Sequence, residues 1–376
     1  MLEAMRTSVL FVALLAALSA ALAGAQQPEG EQLFSSAVAA QQRGDYSAAI
    51  QDYQQLLKLN PNLPDARVNL GAALAHAGQF DDAIAQYRLA LAAMPDNSAV
   101  RMDLGLAYYK KGSLADAQRE FKEIRKLRPT DPQLAILLGD SDVKLGQGSE
   151  AVAMLAPLEA DNAGNPDFEY VLGTALLQSG RRREGAAKLE KVAEATHSPD
   201  SFLLAGSALL DINEVERART DLEEALRLDP KLPHIYSLIG MARDKNGDVT
   251  GAEAAFREAL RIDANDFNAN LYLGAILYKR RDVDEAKAYL EKALQLNPAS
   301  SMARYEVAMW KSTSGQYEEA AKELETIVKE DPDWLEPHVE LANVYYRLHR
   351  PADGAKERAI VARLNAEQQS HGPPKP

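Results

Sequence analysis

A chain of 376 residues with 46% apolar side chains belongs with ordered, core-forming proteins. Its net charge of −13 argues against nucleic acid and anionic membrane surfaces as main partners. With no cysteine, disulfides, thiolate metal sites and cysteine lipid anchors are excluded.

In chain order, residues 1–25 read as a secretory signal. Arg6 supplies the positive start, Val9 to Leu22 is an apolar run, and Ala23-Gly24-Ala25 is a small-x-small cleavage site. Cleavage there leaves Gln26 as the first mature residue. The rival reading is an uncleaved membrane anchor, since the uncharged run from Thr7 to Gln27 is long enough to span a bilayer. Either way the rest of the chain lies outside the cytoplasm. Residues 26–29 form a polar lead-in.

From Gly30 a skeleton recurs about every 34 residues, and such a fixed period predicts a stacked array of helix pairs. The units are 30–63, 64–97, 98–131, 132–165, 166–198, 199–232, 233–266, 267–300, 301–334 and 335–368. The second shows the pattern cleanly: Leu70-Gly71, Leu74, Gly78, Phe80, Ala83, Tyr87, Ala90 and Pro95. The third repeats it as Leu104-Gly105, Tyr108, Gly112, Leu114, Ala117, Phe121, Ile124 and Pro129. With unit positions numbered 1 to 34, a small residue at 8 and another at 20 let helix A and helix B cross closely. Glycine at 15 accepts a left-handed backbone and ends helix A. Proline at position 1 (Pro64, Pro132, Pro166, Pro199, Pro233) opens helix A without losing a hydrogen bond. The fourth unit departs by placing Pro157 inside helix B, where it removes a bond and kinks the helix. The fifth puts Gly185 where alanine normally stands and is one residue short. The tenth replaces the turn glycine with His349 and the helix B alanine with Gly354. Residues 369–376 read as a disordered tail.

These motifs closely resemble the tetratricopeptide repeat family, over almost the whole chain after residue 29. The resemblance implies an all-α, right-handed superhelical solenoid of about ten helix-turn-helix units. It also implies that the side of helix A opposite the core, with positions 2, 5, 9, 12 and 13, lines a concave groove for a protein or peptide. Here positions 5 and 9 are mostly apolar, among them Met102, Tyr170, Tyr305 and Met309, and position 12 adds Tyr109, Tyr278 and Tyr346. Aromatic and methionine side chains are the usual interface anchors. Position 13 carries Lys110, Lys144, Lys245, Lys279 and Arg347, which would suit a carboxylate-bearing ligand or simply complement the helix dipole. Some family members grip a peptide C-terminus in a carboxylate clamp. This chain has Asn69 but sets Val68 and Ala72 beside it, and Ala99 and Asp103 where cations are needed. The clamp is absent.

No catalytic pattern emerges. No two of the six histidines stand at the i, i+4 spacing of a helical zinc site, and neither a nucleophile elbow nor a phosphate-binding loop occurs. The expectation is a non-enzymatic, cofactor-free, exported scaffold of a periplasmic or cell-envelope assembly. Its alternatives are a holder of extended or unfolded peptides, and an accessory protein of polysaccharide or protein export.

Overall fold

The computed structural model describes residues 27–370, so the signal reading of 1–25, its cleavage site and the end of the expected tail lie outside the described residues. The described residues form twenty α-helices and no strand. They group into two compact units, one up to Ala195 and one from Thr196.

The first unit holds α1 (Gln27–Gln42), α2 (Tyr46–Leu59), α3 (Pro64–His76), α4 (Phe80–Ala93), α5 (Ser98–Lys111), α6 (Leu114–Leu127), α7 (Pro132–Lys144), α8 (Gly148–Leu155), α9 (Pro166–Gln178) and α10 (Arg182–Thr196). The second holds α11 (Pro199–Asp211), α12 (Val215–Leu228), α13 (Ile235–Lys245), α14 (Val249–Ile262), α15 (Phe267–Lys279), α16 (Val283–Leu296), α17 (Ser301–Thr313), α18 (Tyr317–Glu330), α19 (Leu335–Arg347) and α20 (Pro351–Ser370). Odd-numbered helices are the A helices and even-numbered ones the B helices.

In the seven pairs with glycine at position 8, that glycine of helix A receives the side chain sixteen residues later on helix B. A Cβ on Gly105 would stand 2.6 Å from the Phe121 ring, and one on Gly240 would stand 2.5 Å from Phe256. Phe121, Phe256, Leu155, Leu189 and Leu222 are essentially fully buried at these crossings. Each such side chain stabilises the fold by about 1.5–3 kcal/mol. No pair could bury this stripe alone, so neighbouring pairs supply the rest of the core.

The turn at position 15 takes a positive φ in all ten pairs. Seven are glycine. Asn213 (φ 62°), Arg281 (φ 76°) and His349 (φ 55°) are not, so these three carry the cost of a left-handed L-residue.

Several details depart from the sequence reading. Residues 27–29 are no separate lead-in, because α1 runs unbroken from Gln27. Gln369 and Ser370 belong to α20, not to a tail. Four of the five position 1 prolines open a helix, but α13 begins two residues after Pro233. His234 takes φ 63° there and turns its ring toward Asp266, with Nδ1 and Oδ2 3.1 Å apart. Pro157 does more than kink: α8 stops at Leu155 and the chain continues as short 3-10 turns, Ala156–Leu158 and Ala160–Asn162. A proline nitrogen cannot donate to the carbonyl four residues back, so the α ladder ends. Gly185 is required by packing, since a Cβ there would lie 2.7 Å from the Gly173 carbonyl oxygen.

Candidate protein-binding face

Position 12 does not lie on the groove line. It follows the small residue at position 8 by four residues, which brings it back to within about 40° of the packed side. The Tyr278 ring is only 3% exposed, and its hydroxyl donates to Glu306 Oε2 on α17 at 2.7 Å. Tyr109 on α5 likewise donates to Asp140 on α7 and accepts from Lys144, whose Nζ stands 2.6 Å from Asp140 Oδ2. These tyrosines tie one A helix to the next; they are not the free anchors their sequence position suggested. Tyr346 belongs to the last pair and has no later A helix to reach among the described residues. It is 38% exposed, and its ring lies against α20, with Arg358 5.3 Å from the ring centre.

The cation ladder divides in the same way. Lys144 is consumed by Asp140 and Tyr109. Lys110, Lys245, Lys279 and Arg347 are exposed. Lys279 Nζ lies 5.9 Å from the Tyr278 ring centre. Met102 and Tyr170 are half-buried against the core of the first unit.

The second unit brings together a different set. Tyr305 and Met309 on α17 are half-buried at its core edge. The Tyr305 ring contacts Trp334, which stands at the start of α19, with centroids 5.2 Å apart. Met302 lies one turn before Tyr305 and is 41% exposed; Val339 on α19 is also 41% exposed. Three carboxylates lie near the Tyr305 ring. The Tyr305 phenol is pushed above its ordinary range by burial first, then by the charges of Glu306, Glu340 and Glu336. Burial also raises the Glu306 carboxyl, a shift that the Tyr278 hydrogen bond and the nearby Lys279 only partly oppose. Glu340 Oε1 accepts from Ser312 Oγ at 2.6 Å.

Among the described residues no cation stands within ion-pair distance of these three carboxylates. Elsewhere the surface acids are commonly paired along their own helix, as in Arg227–Glu224 at 2.5 Å and Arg261–Glu258 at 2.6 Å. Sequence reasoning passed over Glu306 and Glu340 because position 6 was not counted with the groove. Met302 and Val339 occupy groove positions 2 and 5, so the helical pattern could have named them.

The first unit has one analogue. Asp103 on α5, also at position 6, is largely buried with no hydrogen-bonding or ion-pair partner among the described residues, and burial pushes its carboxyl up to about 6.

A cleft of about 200 Å³ between Lys231, His234, Ile262 and Asp266 is smaller than a typical ligand pocket. Among the described residues no three His, Asp or Glu side chains gather as a metal site. No described helix is long and apolar enough to cross a membrane.

Two family models, both described as tetratricopeptide repeat, match the chain. One covers residues 40–102, 74–140 and 108–174, and the other covers 203–267 and 237–301, together well over half of the chain. No curated protein matches it. Among solved structures, the hetero-tetramer Cut9-Hcn1 of the APC/C is 11% identical, with a TM-score of 0.55 over 90% of this chain and 94% of that one. A tetratricopeptide repeat protein from Parabacteroides merdae is 15% identical, with a TM-score of 0.51 over 65% of this chain and 98% of that one. MamA from Desulfovibrio magneticus is 24% identical, with a TM-score of 0.39 over 45% of this chain and 96% of that one. At these identities the likeness concerns the fold alone.

Proposed function

We propose that this chain, which belongs to the tetratricopeptide repeat family, is an exported, non-catalytic scaffold of a cell-envelope assembly that holds a protein partner on the α17/α19 face. Repeat proteins of this family generally mediate protein–protein contacts. The observation that carries the choice of face is the exposure of Met302 and Val339 on neighbouring A helices, beside Tyr305 and Trp334. Single exposed apolar side chains occur elsewhere, as at Leu127, but here two on neighbouring A helices accompany an aromatic pair, which suits a surface that a partner covers. Export rests on the Arg6, Val9 to Leu22 and Ala23-Gly24-Ala25 pattern.

The test is capture from the envelope fraction of the native source with wild-type protein and with Met302→Asp/Val339→Asp. One stoichiometric partner, lost in the double variant while helical content is retained, supports the reading. Many unrelated chains held at once would favour the peptide-holder alternative, and co-capture of a synthase or outer-membrane pore the export-accessory one. Mass spectrometry of the native N-terminus tests export separately: the chain should begin at Gln26, and an intact Met1 in a membrane pellet would mean an anchor.

A further inference from the structure

We infer that the α17/α19 face takes an extended protein segment in which apolar side chains alternate with lysine or arginine. The inference rests on the proposed binding face and adds the chemistry of its ligand. It reverses the ligand charge that the lysine ladder suggested.

The argument is one of complementarity. The apolar part of the face is Met302, Val339 and the exposed edge of Tyr305. The charged part is Glu306, Glu336 and Glu340, each close enough to the Tyr305 phenol for its charge to be felt there. Among the described residues these acids form no ion pair, in a protein whose other helices commonly pair theirs at three-residue spacing. Glu306 is fixed by the Tyr278 hydroxyl at 2.7 Å, and Glu340 by Ser312 at 2.6 Å, so both carboxylates are held in place before any ligand arrives. An incoming ammonium or guanidinium supplies the counter-charge that these carboxylates lack at ion-pair distance. It can also stack over the faces of Tyr305 and Trp334, whose rings favour cations. An acidic segment would meet the opposite on every count. Lys279 and Arg347 stand in the last turns of α15 and α19; the Lys279 charge reaches Glu306, but neither cation pairs with any of the three acids.

The experiment uses the full mature chain and three fluorescein-labelled twelve-residue peptides of alternating composition: Leu-Lys, Leu-Gln and Leu-Glu. Anisotropy titrations are run at low and at physiological salt. The proposal expects Leu-Lys to bind at least tenfold more tightly than Leu-Gln, and Leu-Glu not at all. Glu306→Gln/Glu340→Gln should erase most of that preference. Glutamine can still accept from Tyr278 and Ser312, so this variant keeps its fold, and unchanged circular dichroism checks it. The peptide is expected to lose affinity in Met302→Ser/Val339→Ser as well. Equal binding of Leu-Lys and Leu-Gln, both weakened by Met302→Ser/Val339→Ser, overturns the charge inference and leaves the face standing. Leu-Lys binding that ignores Glu306→Gln/Glu340→Gln and fades with salt shows attraction to the net charge of −13 alone, and also overturns it. Insensitivity of every peptide to Met302→Ser/Val339→Ser removes the face itself.

Discussion

Asp103→Asn should stabilise the protein at neutral pH and leave it unchanged at pH 4. Asp103 sits on α5, largely buried beside Tyr87, with no partner to hold its charge. Burial moves its carboxyl from an ordinary 3.8 up to about 6. The folded chain therefore holds a proton through this window more firmly than the unfolded chain does. By linkage, stability falls as pH rises from about 4 to about 6, and the full cost is present above that. The whole gap corresponds to about 3 kcal/mol. Residual contact with water lowers the expected gain to about 1–2 kcal/mol for the isosteric, uncharged asparagine. Urea unfolding followed by circular dichroism at pH 7.5 and pH 4 measures it, with the first unit's transition as the readout. A gain of equal size at both pH values would show that the ionised carboxylate is not the cause. A loss at pH 7.5 would show that Asp103 has a stabilising partner, and would refute the reasoning.

Arg281→Gly relieves a left-handed backbone at φ 76°. After the extra freedom that glycine gives the unfolded chain, it should raise stability by about 0.5–1 kcal/mol, and no rise in the urea midpoint would count against strain there. His338 is 3% exposed; its Nδ1 lies 2.6 Å from Glu357 Oε2 and its Nε2 donates to the Pro332 carbonyl at 3.0 Å. His338→Ala strands both acceptors and should cost about 2–4 kcal/mol, seen as faster hydrogen exchange throughout α20. In wild-type protein the 3-10 turns at 156–162 should exchange faster than α4 or α6, and equal protection would mean that Pro157 leaves no weak point.

The array was legible because its requirements are local and repeated. A small residue at position 8, an aromatic or leucine sixteen residues on, and a turn that tolerates positive φ recur with little variation, and each is visible in a string of letters. Gly71 with Tyr87 and Gly105 with Phe121 show the rule in the contacts themselves. The candidate site was read less well, for a geometric reason. Grouping position 12 with 5 and 9 placed Tyr109 and Tyr278 in the groove, although a step of four residues from position 8 turns them toward the packing. Leaving position 6 out of the groove line hid Glu306 and Glu340. The ladder at position 13 is conspicuous in sequence and pointed to a carboxylate-bearing ligand. Which lysines are spent on a neighbouring helix, as Lys144 is on Tyr109, depends on contacts between helices some thirty residues apart. Pro157 was recognised as a breaker, but the length of helix lost beyond it followed from the packing of the next pair.

Site-specific photocrosslinking tests the central claim most directly. A benzoylphenylalanine replaces Val339 on the proposed face, and in a second protein replaces Leu127, which is 70% exposed on a B helix of the first unit. Both are expressed in the native source and irradiated. The account predicts a single discrete crosslinked species from position 339, absent with Glu306→Gln/Glu340→Gln, and none from position 127. The same adduct from position 127, with position 339 silent, would put the partner on the B-helix face and contradict the account.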